Sequence, residues 1–332
     1  MVAPKTICVT GGAGYVGAVL VPTLLKHGYR VRVLDLYLYG EHVLDSVSRH
    51  AGLEQVQGDI RDVALLKRIL PGCDAVVHLA CISNDPSFEL NPQLGKSINF
   101  DAFGPLVDIA RDSGVSRFVY ASSSSVYGVK PIENVTEDLA LEPLTDYSKY
   151  KAMCEDVLRQ KRTHGFETLT LRPATVCGYS PRLRLDLTVN ILTNHAFCNR
   201  AIKVFGGDQM RPNIHILDMV DAYVQSLEWP AGLVDGQVFN VGYHNYLVRQ
   251  IADIVRGVVG PDVTIATSPT DDNRSYHVSS TRVRQVVGFE ATRTVHDAVR
   301  DLVTAFEAGR VPESMSNARY YNIRTMQASG LR

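Results

Sequence analysis

A β-branched run, Thr6-Ile7-Cys8-Val9-Thr10, passes directly into Gly11-Gly12-Ala13-Gly14, after which Tyr15 to His27 takes helical spacing. Strand, glycine turn and helix in immediate succession predict a parallel unit whose turn presents backbone N–H groups at a helix N-terminus. A second strand, Arg30 to Asp35, closes the unit, and the rhythm then repeats. Leu53 to Val56 precedes Gly58-Asp59-Ile60, Val63 to Ile69 has helical spacing, and Ala75-Val76-Val77-His78-Leu79 reads as a buried strand. Continuous rather than alternating apolar strands, separated by helices, imply a parallel sheet covered on both faces: a doubly wound α/β fold. Helices over Ser97 to Ser113 and Ser148 to His164, and strands over Arg117 to Ala121 and Glu167 to Leu171, extend it. Beyond Arg172 the pattern breaks into shorter elements punctuated by Pro173, Pro181, Gly206-Gly207, Pro212, Pro230 and Gly260-Pro261. The expected division is residues 1–172 as the sheet domain carrying the chemistry and 173–332 as a smaller, mainly ligand-binding C-terminal lobe, with the chain crossing between them. The polar tail from about Pro312 to Arg332 is expected to be loosely held.

With 332 residues, 45% hydrophobic and 21% charged, the chain has ample material for a core of this size. Its 34 basic and 35 acidic residues leave a formal charge of −1, with no block of Lys and Arg to serve a nucleic acid or an anionic membrane surface. The longest early apolar run, Val16 to Leu25, is broken by Pro22 and is too short to span a bilayer. None of the six cysteines forms a C-x-x-C pair or lies near a matching His pair, so neither a metal site nor a disulfide framework is expected. Buried thiols and an N-terminus without a secretory pattern point to the cytoplasm.

The first turn reads as a dinucleotide loop of the Rossmann type. Gly11 permits the tight turn, Gly14 admits a pyrophosphate to the backbone, and Gly17 lets helix and strand pack closely, although the spacing is G-x-x-G-x-x-G. Asp35 ends the second strand about 18 residues beyond Gly17, where a carboxylate accepts bonds from the adenosine ribose hydroxyls and repels a 2′-phosphate. NAD is therefore favoured over NADP, against the two cations Arg30 and Arg32 on the same strand. Asp59 and Ile60, closing the third strand, are candidates for adenine contact.

Tyr147 and Lys151 stand one helical turn apart, and an ammonium beside a phenol stabilises the phenolate that a general base requires. With 15 tyrosines and nine lysines in the chain, one such spacing is close to a chance event. Its weight comes from a third element, Ala121-Ser122-Ser123-Ser124-Ser125-Val126-Tyr127-Gly128, which directly follows a strand at the edge where doubly wound sheets hold ligands.

Together these motifs resemble the extended short-chain dehydrogenase/reductase family, the NAD-dependent nucleotide-sugar epimerases and dehydratases, from Thr10 to about Val295. The resemblance implies Ser123, Tyr147 and Lys151 as the catalytic set. It implies cofactor contacts from Gly11, Gly14, Tyr15, Val16, Gly17, Asp35, Asp59, Ile60, Leu79, Ala80 and Asn99, besides Tyr147 and Lys151. For a nucleoside-diphosphate sugar it implies Asn190, Arg211 and Arg274, with Ser83, Ser124, Ser125 and Thr175 toward the sugar. It also implies a homodimer paired through the helices around Asp101 to Ala110 and Ser148 to Leu158.

Members of this family begin by oxidising a sugar hydroxyl, usually at C4. The 4,6-dehydratases carry Asp-Glu just after the catalytic Ser/Thr, whereas Ser124 and Ser125 stand here, and hydroxyls do not eliminate water at neutral pH. Epimerisation through a 4-keto intermediate needs no further acid or base and is the expected reaction. A nucleotide-sugar 4-dehydrogenase is the alternative; a uronic-acid decarboxylase or a non-enzymatic NAD sensor ranks below it. Pro269-Thr270-Asp271-Asp272 replaces the family's Arg-Pro-Gly-Asp, and Arg172-Pro173-Ala174-Thr175 lacks the aromatic residue and Asn of the familiar galactose epimerases.

Overall fold

The computed structural model describes residues 5–331 apart from 84, 131, 133, 271–274 and 276. Six strands form in the expected order: β1 (Thr6–Thr10), β2 (Arg30–Asp35), β3 (Leu53–Gln57), β4 (Ala75–His78), β5 (Arg117–Ala121) and β6 (Glu167–Pro173). Between them run helices α1 (Gly17–Lys26), α2 (Val63–Ile69), α3 (Asp85–Glu89), α4 (Pro92–Lys96), α5 (Phe103–Asp112) and α6 (Asp146–Lys161). Beyond β6 come β7 (Thr175–Cys177), β8 (Ala201–Phe205), β9 (Met210–His215) and β10 (Gln237–Val241), then β11 (His244–Leu247) and β12 (Thr264–Ser268).

The main sheet is parallel throughout, in the order β10-β6-β5-β4-β1-β2-β3. Strand order reverses between β1 and β4, and the crevice beyond their C-terminal ends is where such sheets take ligands. Apolar side chains leave both faces. Ile7, Val9 and Val33 join Leu20, Val21 and Leu24 of α1, while Cys8, Val76 and Phe118 join Leu66, Leu106 and Leu158 on the opposite side.

The chain crosses between the two parts: β10 completes the main sheet, and the helix Ile216–Ser226 packs against α1, so both come from the second half of the chain. One expectation needs correction: the tail is not loose. Tyr320 and Tyr321 are buried with Leu183, Leu185 and Phe306, and a helix spans Asn322–Ser329. Short β7, β9 and β11 form one small sheet and β8 and β12 another.

The helix expected over Ser97 to Ser113 is interrupted. Ser97–Asp101 takes a wider π-type turn before α5, a feature common at functional sites. There the Asn99 side chain accepts from the Ile82 N–H at 2.8 Å and donates to its carbonyl at 3.0 Å, pinning the segment after β4.

One buried network ties α6 to the sheet. Arg172 at the end of β6 donates to Glu155 of α6 at 2.6 and 3.0 Å and to the Tyr127 hydroxyl at 2.6 Å. Tyr127 donates to Asn240 of β10 at 2.7 Å, whose own N–H donates to Glu137 at 2.7 Å. Both charged side chains of the pair are almost wholly buried. Losing one member strands the other without solvent, which typically costs about 3–5 kcal/mol. Glu155→Leu should therefore lower unfolding free energy by about that amount, read from a shift in denaturant midpoint; a change below about 1 kcal/mol would show that the pair does not carry this load.

Candidate active site

The glycine turn is shaped by its neighbours. Gly11 has φ of +75°, and a Cβ there would lie 2.6 Å from the Ala80 nitrogen, so the turn seats against the end of β4. At Gly17 a Cβ would meet the Gly11 carbonyl at 2.5 Å, which is the close helix packing inferred from spacing. Gly14 meets only the Gly11 carbonyl at 3.1 Å and otherwise borders the cleft. That cleft encloses ≈ 490 Å³, within the ~300–1,000 Å³ usual for small-molecule sites.

Asp35 sits at its edge, accepting from the Ala13 N–H at 2.9 Å and the Tyr37 N–H at 2.7 Å. Burial raises its carboxyl pKa while those backbone donors oppose the rise. Each oxygen keeps a further lone pair for a diol. Arg32 is held by Glu54 at 2.6 Å, and neither Arg30 nor Arg32 lines the cleft, so neither is placed to welcome a 2′-phosphate. Asp59, paired with Arg61 at 2.7 Å, lines the same wall with Ile60, Leu79 and Ala80. The donors, the diol acceptor and the open glycine surface thus fit a dinucleotide.

Ser123, Tyr147 and Lys151 come together at the floor of this cleft. Ser123 ends its strand extension as the cap of a short 3-10 turn, Ser124–Tyr127, and its hydroxyl lies 2.9 Å from that of Ser125. Lys151 Nζ donates to the Ala121 carbonyl at 2.6 Å and lies 5.9 Å from the Tyr147 ring centre. In the chain alone, burial drives the Tyr147 pKa well above its ordinary value; Cys81 and Asp85 add to this, while Arg184 and Ser123 oppose it.

Of the residues expected at the substrate, Ser83, Ser125, Thr175 and Arg211 line the cleft. Ser124 is buried beside it. Asn190 is fully buried and committed to internal bonds: it accepts from the Gly178 N–H and donates to the Tyr15 hydroxyl and the Arg184 carbonyl at 3.0, 3.1 and 2.8 Å. The structure therefore places Asn190 behind the wall rather than on it. Asn99 likewise acts from behind, through Ile82. Arg274 lies outside the described residues.

Sequence reasoning passed over Arg182 and Arg184. Both line the cleft, and both keep buried guanidinium nitrogens without a partner. Arg182 stacks on Tyr39 with its carbon 3.6 Å from the ring centre, and burial pushes its pKa down to about 10. Arg184 is paired with Asp186 at 2.9 Å. Alternation in Arg182-Leu183-Arg184-Leu185 was the available signal: the leucines enter a core, which turns the arginines the other way. Met326 and Leu331 of the tail also reach the cleft, and no local pattern announces this.

Comparison with known proteins agrees with this geometry. A family model described as "NAD dependent epimerase/dehydratase family" matches residues 7–242. The chain is 31% identical over 311 residues to a UDP-glucose 4-epimerase of Mycolicibacterium smegmatis, spanning 90% of this chain and 97% of that one. To the UDP-glucose 4-epimerase of Lactobacillus helveticus it is 28% identical, covering 90% and 94%. Among solved structures, the dTDP-glucose 4,6-dehydratase DesIV of Streptomyces venezuelae superposes with a TM-score of 0.83 at 25% identity, covering 92% and 98%. A family match over most of the sheet domain, joined to near full-length similarity above 30%, establishes that the chain belongs to the NAD-dependent epimerase/dehydratase family, with NAD as its cofactor.

Proposed function

We propose that this protein is an NAD-dependent nucleotide-sugar epimerase that works through a 4-keto intermediate. The observation that carries the reading is the meeting of Ser123, Tyr147 and Lys151 at the floor of a cleft that begins at the glycine turn. Tyr147 takes the proton of the sugar C4 hydroxyl, and Ser123 donates a hydrogen bond to that oxygen as it becomes a ketone. Lys151, held by the Ala121 carbonyl, keeps a positive charge near the phenolate. Bound NAD would supply the acceptor and donor of the C4 hydride, at the cleft that these residues line. Tyr147 then gives its proton back to the same oxygen on the other face of the sugar.

Gly11, Gly14, Tyr15, Val16, Gly17, Asp35, Asp59, Ile60, Leu79 and Ala80 hold the cofactor, with Asn99 bracing the wall through Ile82. Arg211, joined by Arg182 and Arg184, supplies cationic donors for a nucleoside diphosphate. Ser83, Ser125 and Thr175 offer hydroxyls to the sugar, and Asn190 supports the Gly178 turn from behind. Arg274 remains a candidate phosphate contact by sequence alone. Ser124 and Ser125 cannot act as the acid and base of dehydration, which favours epimerisation over that branch. The 4-dehydrogenase is the second reading, because the same three residues suffice for net oxidation. The relatives named as UDP-glucose 4-epimerases tip the balance away from it.

The proposal extends to a homodimer through adjacent α5 and α6, where Met153 is 43% exposed. It also places the protein in the cytoplasm; no helix among the described residues is long and apolar enough to cross a membrane.

Tyr147→Phe removes the base and leaves the ring packing. Turnover should fall by about 10²-fold or more, with NAD content and melting temperature unchanged; an unaltered rate would exclude this mechanism. Incubating the purified protein with a panel of nucleotide sugars in heavy water, without added NAD, should give an isomer of unchanged mass and a cofactor still oxidised at the end. Accumulating NADH with a ketone product would instead assign a dehydrogenase.

A further inference from the structure

Arg182 lines the cleft with a buried charge that the chain itself leaves uncompensated. The residue is only 4% exposed, and its Nε and Nη1 have no hydrogen-bond partner. A third nitrogen, Nη2, donates to a neutral group, the Oδ1 of Asn322. Asp186, the carboxylate nearest in sequence, is paired with Arg184 at 2.9 Å. Burial pushes the Arg182 pKa down to about 10, with Arg184 adding to the fall and Tyr39 and Asp186 opposing it. A guanidinium held in this way is costly until an anion completes it.

The segment that carries this charge is fastened to the glycine turn. Ser180 donates to the Tyr15 carbonyl at 2.7 Å, and the Tyr15 hydroxyl donates to the Gly178 carbonyl at 2.7 Å. Leu183 and Leu185 pack in one cluster with Tyr15 and with Tyr320 and Tyr321 of the tail. Arg182 stacks on Tyr39, four residues beyond Asp35 at the end of β2. Its charge is felt at Asp35, where it opposes the rise that burial causes in the carboxyl pKa. Although it comes from the second half of the chain, Arg182 therefore stands on the cofactor side of the cleft.

We propose that Arg182 is a clamp on the cofactor, its free nitrogens taking the diphosphate of the dinucleotide at the glycine turn, and that Asn322 latches it there from the tail. A diphosphate supplies the missing counter-charge and accepts from a guanidinium fork. Asn322 is a positioning residue. Since Arg182 can only donate, the Asn322 Oδ1 faces it and Nδ2 faces Ser83, to which it donates at 3.0 Å. The Asn322 N–H donates to Asp186 at 3.2 Å, so this buried residue joins the end of β4 to the arginine segment. The diphosphate of a nucleotide sugar is the same chemistry from a second source; the contacts with Tyr39 and Tyr15 favour the cofactor. This inference rests on NAD as the cofactor and not on the reaction catalysed.

The test follows release of NAD from the loaded protein into a mixture of alcohol dehydrogenase and ethanol, which converts each freed NAD into fluorescent NADH. Arg182→Gln should release NAD about 10²-fold faster. Arg182→Lys keeps the charge but loses the fork and the stack, and should release it about 10-fold faster. Asn322→Leu keeps the volume of the latch and removes its acceptor; about 10-fold faster release is expected, with no further gain when it is added to Arg182→Gln. The rise in melting temperature on adding NAD should shrink in the same order. Wild-type release in both Arg182 variants would overturn the clamp, and a simultaneous loss of UDP binding by the NAD-loaded protein would give the charge to the substrate diphosphate alone. Equal acceleration by Asn322→Leu in the wild-type and Arg182→Gln backgrounds would overturn the latch, since a tail that merely loosened the fold would act in both. Fast release by these variants of a protein that converts no nucleotide sugar would sustain the clamp and refute the epimerase reading instead.

Discussion

The buried contact between Arg172 and Glu155 is the interaction on which the site depends. It fastens α6, the helix that carries Tyr147 and Lys151, to the end of β6, and through Tyr127 and Asn240 it reaches β10. Ser122, beside Ser123, donates to the same Glu155 carboxylate. The strand end bearing Ser123 and the helix bearing Tyr147 thus share one carboxylate, besides the direct bond from Lys151 to the Ala121 carbonyl. A pair buried this deeply pays heavily in desolvation, so its return is geometric more than energetic. With one strand of the sheet drawn from residues 237–241, the network also closes the N-terminal unit with chain from the other half.

Around that frame the cleft has two electrostatic sides. On one, the glycine turn and Asp35 offer backbone donors and a carboxylate, suited to a pyrophosphate and a ribose diol. On the other stand Arg182, Arg184 and Arg211. Arg182 is the most exposed to imbalance: its charge is buried against Tyr39, with Asn322 of the tail accepting from one nitrogen. The tail is ordered for this reason as much as by Tyr320 and Tyr321, because Asn322 also donates to Ser83 at 3.0 Å. A segment that reads as a polar end therefore becomes part of the site wall.

Much of the fold was legible because its signals are local. Six strands of the main sheet follow from β-branched runs, and the turn at Gly11 and Gly17 follows from the close approaches those positions tolerate. Asp35, Ser123, Tyr147 and Lys151 were found for the same reason: each sits at a strand end or on one helix face, at a spacing the motif defines. Arg182, Arg184, Asp85 and Met326 were not, because each reaches the cleft only after distant elements pack. Asn190 shows the reverse case. Its position in the chain matches a ligand contact, yet packing turns its amide inward to Gly178 and Tyr15.

Sequence alone determined the parallel sheet, the cofactor turn, the preference for NAD and the three residues proposed for chemistry, since hydrophobic period, glycine spacing and strand-end position act over a few residues. Tertiary structure alone decided which side of the wall Asn190 faces, that residues 237–241 return to the first sheet, and that the tail closes on the cleft. Those outcomes depend on contacts between residues far apart in the chain, and no local spacing encodes where such partners meet.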